Sequence, residues 1–331
     1  MDKKLKKYAI FSVFILVLFL LIFIFLNYLY IEKIEKNKQI FKKQEIYKEF
    51  ITSENLNNTI NFAFFGDSHT ANSINLDMIN NNSFNFAIGD DNYVETYYIL
   101  NKILYQDNIK IETIVLEMDL HTFSEKLRVE KNYFKYLIFY SNFLSLEEIS
   151  NFNKLDYTDL FIKKNFPLIG NGFELRYLIF KPTQTEISNT GFIKVEGSFA
   201  NMSKNDRIIT AQKKVLLHFN KNDTLIENTS FTYFLKIIEL CEKNNISVVI
   251  ISYPISEEYF LSYENMNFNR EEYNSYVLAQ VDSIYSKNYT YYDHYNIYFN
   301  NSNYFKDSDH LNYEGANNYS NYLAKKLEVL N

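Results

Sequence analysis

Residues 60–69 read INFAFFGDSH, and this stretch predicts a buried β-strand that ends in a tight turn. Apolar side chains fill most of the first six positions, as in a strand that is covered on both faces. Gly66 permits a sharp turn, and Ser68 follows where a helix could begin. A serine at such a turn exposes its hydroxyl beside backbone N–H groups that can stabilise an oxyanion. The stretch therefore predicts a nucleophile, with an ordinary turn and helix cap as the alternative.

Short apolar runs and amphipathic segments alternate after this stretch. The alternation predicts an α/β domain in which helices cover both faces of a mostly parallel sheet, a three-layer α/β/α fold. The chain of 331 residues is long enough for one such domain with attachments. The candidate strands are residues 60–65, 83–88, 113–118, 246–252 and 289–293, and the candidate helices are 93–105, 231–241, 270–285 and 313 to the C-terminus.

The alternation fails between about residues 124 and 228, which predicts an insertion in the α/β domain. An aromatic-rich segment at 133–144 gives way to a polar stretch at 183–207. Such an insertion could cover the active site, form substrate walls or only add a packing layer.

A second motif lies near the C-terminus, where residues 305–316 read FKDSDHLNYEGA just before the last predicted helix. Asp307 precedes His310 by three residues, so its carboxylate can fold back onto one ring nitrogen while the other points away. A serine hydroxyl needs such a base before it can attack a carbonyl. Asp309 is an alternative partner for the His310 ring, but the side chain of a residue adjacent to the histidine points less favourably towards that ring. The motif predicts a Ser68–His310–Asp307 triad.

The two motifs together resemble those of the SGNH/GDSL hydrolase superfamily, over roughly residues 58–331. The resemblance implies that Ser68 is the nucleophile, His310 the general base and then acid, and Asp307 its orienting partner. It also implies an oxyanion hole made by the N–H groups of Ser68 and Gly89. The third block of the family normally ends in Gly-x-Asn-Asp, but residues 116–119 read LEMD here, so the asparagine is missing. Asn92 is a weaker substitute donor.

The other histidines and the cysteine predict no further chemistry. His69 follows the nucleophile directly, so it is either a substrate contact or a surface or helix-capping residue. His121, His218 and His294 are scattered along the chain without metal-ligand spacing, which predicts no metal, and no cofactor motif is present. The single cysteine, Cys241, occupies an apolar helix position and is expected in the core.

The N-terminus predicts a membrane anchor. Residues 8–26 are apolar apart from one serine, which is the length that a helix needs to cross a bilayer. We predict a cytoplasmic tail at residues 1–8, a transmembrane segment at 9–30, a charged helical stalk at 31–57 and the catalytic domain from 58 onward. Lysines before the apolar run favour an outward-facing domain. No small-residue cleavage site follows, so an uncleaved anchor is preferred over a signal peptide.

The net charge and the two motifs together limit the classes of function that fit this sequence. The net charge of −6 does not indicate a protein that binds nucleic acid. An anchored, exported SGNH-like domain resembles bacterial cell-envelope proteins such as alginate O-acetyltransferases and D-alanylation accessory proteins. That resemblance implies the transfer of acyl groups, in the first place acetyl, to envelope polysaccharide, with a membrane-bound O-acyltransferase as partner. The alternatives are a carbohydrate esterase and a catalytically inactive scaffold or glycan-binding protein.

Overall fold

The computed structural model describes residues 3–33, 39–52, 59–79, 82–89, 92–107, 109–124, 145–147, 156–169, 186–219, 229–266 and 268–328. Its strands are β1 (Thr59–Phe65), β2 (Phe84–Asn85), β3 (Lys110–Glu117), β4 (Ser247–Ser252) and β5 (Thr290–Asp293). The described helices are α1 (Lys3–Lys33), α2 (Gln39–Ile51), α3 (Ser68–Ser73), α4 (Tyr93–Asn101), α5 (Tyr157–Asn165), α6 (Lys204–His218), α7 (Thr229–Asn244), α8 (Glu257–Glu264), α9 (Arg270–Ile284) and α10 (Tyr313–Leu327).

The five strands form one parallel sheet in the order β2-β1-β3-β4-β5. Each strand overlaps one of the five predicted segments, so the predicted α/β class and parallel sheet are confirmed. β2 is shorter than its prediction. Phe84 and Asn85 pair with β1, and the Phe86 N–H donates to the Phe64 carbonyl at 2.8 Å, but no strand pairing continues over residues 87–88. All five carboxyl ends meet at one edge of the sheet, where ligand sites of open parallel sheets form.

Helices cover both faces of the sheet, as the three-layer prediction requires. α10 packs with α3 over one face, and α7 packs with α4 and α9 over the other. On the first face, Phe62, Phe64 and Val115 join Tyr319 and Leu323 of α10 in a continuous buried cluster. The alternation of strand side chains between the two faces explains why both helical layers find apolar partners.

The last helix begins as its sequence predicts. Asn312 is its N-cap, and the Asn312 side chain accepts the Gly315 N–H at 2.9 Å. The same side chain donates to the carbonyls of Gly197 and Asn303, which ties the helix start to neighbouring loops. On α7, Cys241 is fully buried, which confirms its predicted place in the core.

The predicted stalk is wrong over its C-terminal half, because α2 docks on the β2 edge of the sheet. Tyr47 is buried and makes edge contacts with the rings of Phe84 and Phe86. The Lys43 ammonium is 3% exposed and donates to the carbonyls of Asn85, at 3.0 Å, and Ala87. The charged composition hid this docking, since the lysine stem packs on apolar surface while its head binds backbone carbonyls.

The chain divides into two compact units. The larger comprises Lys43–Tyr133 and Thr185–Asn331 and contains the whole sheet. The smaller comprises Met1–Lys42 and Phe134–Gln184. Within it, the Asn27 side chain of α1 donates to the Asn165 carbonyl at 2.9 Å, and the rings of Phe23 and Phe166 lie 5.8 Å apart.

The predicted insertion at 124–228 is therefore shared between the units. Residues 186–219 belong to the larger unit, where the Lys204–His218 helix α6 packs against α8. The aromatic-rich segment at 133–144 lies outside the described residues.

One described helix, Lys6–Glu32, is long and apolar enough to cross a membrane, and its most apolar window of 18 residues has a mean hydropathy of 3.4. Its most apolar window has no buried residues, so Phe11, Phe14, Leu16 and Phe19 present exposed side chains. An N-terminal helix of this kind could anchor the chain to a membrane.

His294 gives the fold a predicted acid sensitivity. It lies between β5 and α10, with Nδ1 2.9 Å from the Tyr319 hydroxyl, and burial lowers its pKa to about 4. Because this pKa lies below that of an unfolded histidine, the unfolded state binds more protons as the pH falls from 6.5 towards 4. The contribution of His294 to the free energy of unfolding should therefore drop in that window and stay constant above it.

The His294→Gln variant tests this sensitivity. Between about pH 7.5 and about pH 5, wild type should lose about 2 kcal/mol more unfolding free energy than His294→Gln, measured by denaturant titration. The exposed, uncharged substitution Asn321→Ala should keep the wild-type dependence. Equal slopes for wild type and His294→Gln would contradict the assignment.

Candidate active site

Ser68 lies at the carboxyl edge of the sheet, at the first position of α3. Asp67 is the N-cap, and its Oδ1 accepts the His69 N–H at 2.8 Å, as expected for a residue that fixes the turn. Gly66 has φ 157°, and a Cβ there would lie 2.3 Å from Thr70 Oγ1 and 2.4 Å from Glu117 Oε2. The turn can therefore approach β3 only with glycine at this position.

Most backbone N–H groups of the turn already donate a hydrogen bond. Those of Asp67 and Thr70 donate to the buried Glu117 carboxylate, at 3.0 and 3.2 Å. That of Ala71 donates to the Asp67 carbonyl at 2.9 Å. Within the described residues, the Ser68 N–H has no such acceptor. It is the donor that remains for an oxyanion at the start of a helix.

The structure brings the three predicted triad residues together. Ser68 Oγ lies 2.8 Å from His310 Nε2, and His310 Nδ1 lies 2.9 Å from Asp307 Oδ1. The same carboxylate oxygen accepts the His310 N–H at 3.0 Å, so Asp307 folds back within one turn as expected. Ser68 is partly exposed and His310 is 9% exposed. The serine hydroxyl and the histidine ring thus lie within hydrogen-bond reach, as the predicted triad requires.

Geometry shows which of the two candidate carboxylates, Asp307 or Asp309, pairs with His310. Asp309 Oδ1 lies 3.6 Å from His310 Nδ1, beyond hydrogen-bond range. Its other oxygen faces Lys214 at 3.5 Å and His69 at 3.4 Å. Asp307 is therefore the hydrogen-bond partner of His310, in agreement with the preference from sequence.

The other two oxyanion donors stay predictions. Gly89 follows β2 in a turn and is partly exposed, consistent with its predicted position after the second strand. Asn92 is the N-cap of α4, where its side chain accepts the Val94 N–H at 3.0 Å and Glu95 completes a capping box. The Asn92 side-chain carbonyl is therefore explained by its role as a helix cap, and this role requires no part in catalysis.

The prediction that His69 is a surface or helix-capping residue is wrong, and burial argues equally against a substrate contact. His69 is 1% exposed, with Nδ1 2.5 Å from Asp119 Oδ2 and Nε2 3.4 Å from Asp309 Oδ2. Its ring stands edge-on to the His310 ring, 5.1 Å away. The helix turn directs the His69 side chain inward, away from Ser68, to the carboxylate of Asp119, which lies two residues after the end of β3.

The histidines that are scattered in sequence are partly gathered in space. The rings of His121 and His218 stack at 4.6 Å, and His121 Nε2 lies 2.7 Å from Asp67 Oδ2. His294 lies apart, on Tyr319. The positions of these histidines along the chain do not reveal the cluster. It forms because the chain after β3 and the end of α6 meet in the folded structure. Glu117 ends β3, and Asp119 and His121 follow it at alternate positions, a signal that could have revealed the cluster.

Charge in this network is set by burial and by close partners. Burial opposes a charge on His69, but the hydrogen bond and charge of Asp119 outweigh it and raise the His69 pKa well above its ordinary value. Burial likewise opposes ionisation of Asp309, but His310 and His69 hold its pKa well below the usual range. Burial and the neighbouring His121 lower the pKa of His218. A buried cation, His69, thus lies between two carboxylates behind the triad.

Glu117 is the last residue of β3, and its side chain accepts N–H groups of the turn that carries Ser68. It is fully buried, and burial together with Asp67 and Asp119 raises its pKa well above the ordinary value. Its Oε2 also accepts the Thr70 hydroxyl at 2.7 Å. The end of β3 thus supports the turn that carries Ser68.

Four of these side chains have the composition of a metal site. One ligand atom from each of Asp67, His69, Glu117 and His121 lies within 4.8 Å of the others. Imidazole and carboxylate suit several transition metals. However, His121 Nε2 and His69 Nδ1 each meet a carboxylate at hydrogen-bond distance. We therefore describe this cluster as an ionic hydrogen-bond network, and the absence of a metal stays a prediction.

Comparisons with known proteins add little to this geometry. One family model, that of an uncharacterised family, matches residues 207–330. The matched region includes β4, β5, α10 and the Asp307–His310 motif but not Ser68. No curated protein matches the chain.

The Gly66→Ala substitution should disable the site through the turn alone. The added methyl would fall 2.7 Å from the Glu117 Cβ and closer still to two oxygens, so β1 and β3 would have to separate. We expect a loss of about 3 kcal/mol or more in unfolding free energy, read as a lowered thermal midpoint. Ala71→Gly, on the adjacent helix, should cost less, about 1 kcal/mol. A wild-type midpoint for Gly66→Ala would contradict the described turn.

Proposed function

We propose that the chain is a membrane-anchored SGNH-like serine enzyme that transfers or removes O-acyl groups, such as O-acetyl, on cell-envelope polysaccharide. The observation that carries the proposal is the continuous hydrogen-bonded path from Ser68 Oγ through His310 to Asp307. This geometry matches the requirements of nucleophilic acyl transfer, because the base reaches the hydroxyl and a carboxylate orients the base.

The first half-reaction forms an ester on Ser68. Its Oγ attacks the carbonyl carbon of the acyl donor while its proton passes to His310 Nε2. Asp307 accepts the Nδ1–H and stabilises the imidazolium. The unused Ser68 N–H, with Gly89 as a further candidate, binds the tetrahedral oxyanion. Collapse then breaks the bond to the leaving oxygen, which takes the proton from His310.

The second half-reaction decides between the two enzyme classes. His310 removes a proton from a glycan hydroxyl, which attacks the acyl carbon and releases Ser68 with its proton restored. If water attacks instead, the product is a free carboxylic acid and the enzyme is an esterase. The partial exposure of Ser68 is compatible with either acceptor.

The proposed location follows from the N-terminal helix and its flanking charge. The Lys6–Glu32 helix would span the bilayer once, and the lysines before it favour a cytoplasmic N-terminus. The domain that carries Ser68 would then face envelope glycans. A membrane-bound O-acyltransferase is the partner that would deliver activated acyl groups to that side.

Glycan analysis of bacterial strains tests the reaction. A strain without the gene is complemented with wild type, Ser68→Ala or the exposed-serine control Ser283→Ala, and O-acyl groups on purified envelope polysaccharide are quantified by mass spectrometry. A transferase predicts low acylation in the deletion and Ser68→Ala strains and restored acylation with Ser283→Ala. Raised acylation in those two strains would identify an esterase. Full restoration by Ser68→Ala would reject both enzymes and favour the inactive scaffold.

A further inference from the structure

Both ring nitrogens of His69 face a carboxylate. Nδ1 lies 2.5 Å from Asp119 Oδ2, and Nε2 lies 3.4 Å from Asp309 Oδ2. A neutral imidazole carries one N–H, so it would turn a bare nitrogen lone pair towards one of these two acceptors. An imidazolium donates from both nitrogens. The geometry therefore favours a positive charge on a side chain that is 1% exposed.

Asp119 fixes the place of this cation. Its Oδ1 accepts the Tyr253 N–H at 2.7 Å, and its backbone carbonyl accepts the Tyr273 hydroxyl at 3.0 Å. The residue is 4% exposed, so solvent has little access to its carboxylate. His69 thus has a firmly held partner on Nδ1, while its Nε2 points to the loop that carries the triad histidine.

Asp309 lies between this cation and the triad. Its Oδ1 is 3.6 Å from His310 Nδ1, just beyond hydrogen-bond range. Its Oδ2 faces His69 Nε2 at 3.4 Å and Lys214 Nζ at 3.5 Å. Asp309 is 1% exposed, so protein groups rather than solvent must balance its charge. If nothing held Oδ2, a small turn of the carboxylate would bring Oδ1 onto His310 Nδ1, in competition with Asp307.

Further titratable groups face the His69–Asp309 pair from the elements packed around it. Besides the triad and Asp119, the described residues place there Asp67 of the nucleophile turn, Glu117 of β3, His121 after β3, Lys214 and His218 of α6, and the phenols of Tyr253 and Tyr259. Burial and the neighbouring His121 lower the pKa of His218, which leaves that ring neutral. His69 and Lys214 are therefore the cations that the described residues set against Asp309 Oδ2.

From this geometry we propose that His69 is a positioning residue for the triad, whose cation holds the Asp309 carboxylate away from the His310 ring. Nδ1 of that ring is thereby left to Asp307. The cation also opposes a second positive charge on His310 in the resting protein, since the two rings meet edge-on at 5.1 Å. Without it, Asp309 would attract a proton to His310, and a protonated ring cannot take one from Ser68. This inference rests on the proposed function.

The pH dependence of ester hydrolysis tests the proposal. The ratio kcat/KM for p-nitrophenyl acetate is measured with the full chain in detergent, for wild type and for His69→Gln, which removes the charge but keeps a donor. We expect the acid limb of the profile to move up by about 1–2 pH units in the variant. Activity lost at neutral pH should therefore return at alkaline pH. A merely structural role would lower the rate without moving the limb, and that result would overturn the proposal.

The double variant His69→Gln/Asp309→Asn identifies the carboxylate that the cation controls. Once Asp309 is neutral, nothing draws a proton to His310 from that side, so the acid limb should return close to its wild-type position. A limb that stays where His69→Gln alone puts it would overturn the part assigned to Asp309.

Lys214→Met repeats the test at a side chain that is 26% exposed, whose loss the fold should tolerate even if His69→Gln does not fold. It removes the other cation at Asp309 Oδ2, so its acid limb should move in the same direction by a smaller amount. Lys213→Met, at the adjacent exposed position of α6, should keep the wild-type limb. Equal limbs in the two lysine variants would count against the proposed hold on Asp309 and overturn it.

Histidine NMR distinguishes this proposal from that of the enzyme. The chain has five histidines, and His310→Gln identifies the signal of the triad histidine in isotope-labelled protein. That ring should take up its proton at a higher pH in His69→Gln than in wild type, a change that needs no turnover. Ser68-dependent turnover with an unmoved signal would overturn this proposal alone. A moved signal without Ser68-dependent turnover would support the arrangement of His69 and Asp309 and leave only the proposed enzyme rejected.

Discussion

The Ser68→Ala substitution should lower the hydrolysis of an activated ester, such as p-nitrophenyl acetate, by about 10⁴-fold or more. The hydroxyl that lies 2.8 Å from His310 Nε2 is the proposed attacking group, and no other serine is described within such reach of that histidine. The rate is measured under saturating substrate with the full chain in detergent. The fold should be unaffected, because the serine side chain has no other described hydrogen bond.

Two controls belong with this substitution. Ser283→Ala removes an exposed hydroxyl on α9 whose one hydrogen bond among the described residues is to the Gln280 carbonyl, so it should leave the rate unchanged. The thermal midpoint of Ser68→Ala should match that of wild type. A Ser68→Ala enzyme that retains most of its activity would remove Ser68 from the mechanism, whatever the rate of the control.

Asp307→Asn should have the next largest effect, a loss of about 10³- to 10⁴-fold in kcat. The amide preserves shape but cannot stabilise the imidazolium, and its NH₂ group favours the wrong ring tautomer. Asp307 is 31% exposed at its side chain, so the substitution leaves no buried charge uncompensated. The loss should therefore appear in kcat while the thermal midpoint changes little.

Asp309→Asn is the matched comparison, since both carboxylates lie close to His310. Asp309 is fully buried against His69 and Lys214, and its low pKa marks a stabilising charge. Its replacement should lower stability, most clearly at neutral pH, because the depressed pKa contributes above pH 4 and is lost as the pH falls. If Asp309→Asn lost kcat as severely as expected for Asp307→Asn, at unchanged stability, the partner of His310 would have been misassigned.

Much of the fold could be predicted because its signals are local. Apolar runs such as residues 246–252 mark strands of a covered sheet, and Asn312 marks the start of the last helix by its capping side chain. The triad was equally accessible, because Asp307 and His310 lie within one turn of chain and Ser68 follows a recognisable strand end.

Long-range packing hid the rest. His69 gave no sign that it would be buried, since its partner Asp119 is fifty residues away and becomes a neighbour only when β1 pairs with β3. The docking of α2 was missed because Lys43 reads as a solvated charge, whereas its ammonium binds carbonyls at the end of β2.

Adduct mapping after fluorophosphonate treatment tests the central claim most directly. The folded chain is treated, digested and analysed by peptide mass spectrometry. An acyl-transferring triad predicts a single adduct on the peptide that contains Ser68, formed in wild type and absent from His310→Gln, which keeps a polar side chain but no base. The absence of an adduct on Ser68 in folded wild-type protein, or an equal adduct in His310→Gln, would contradict it.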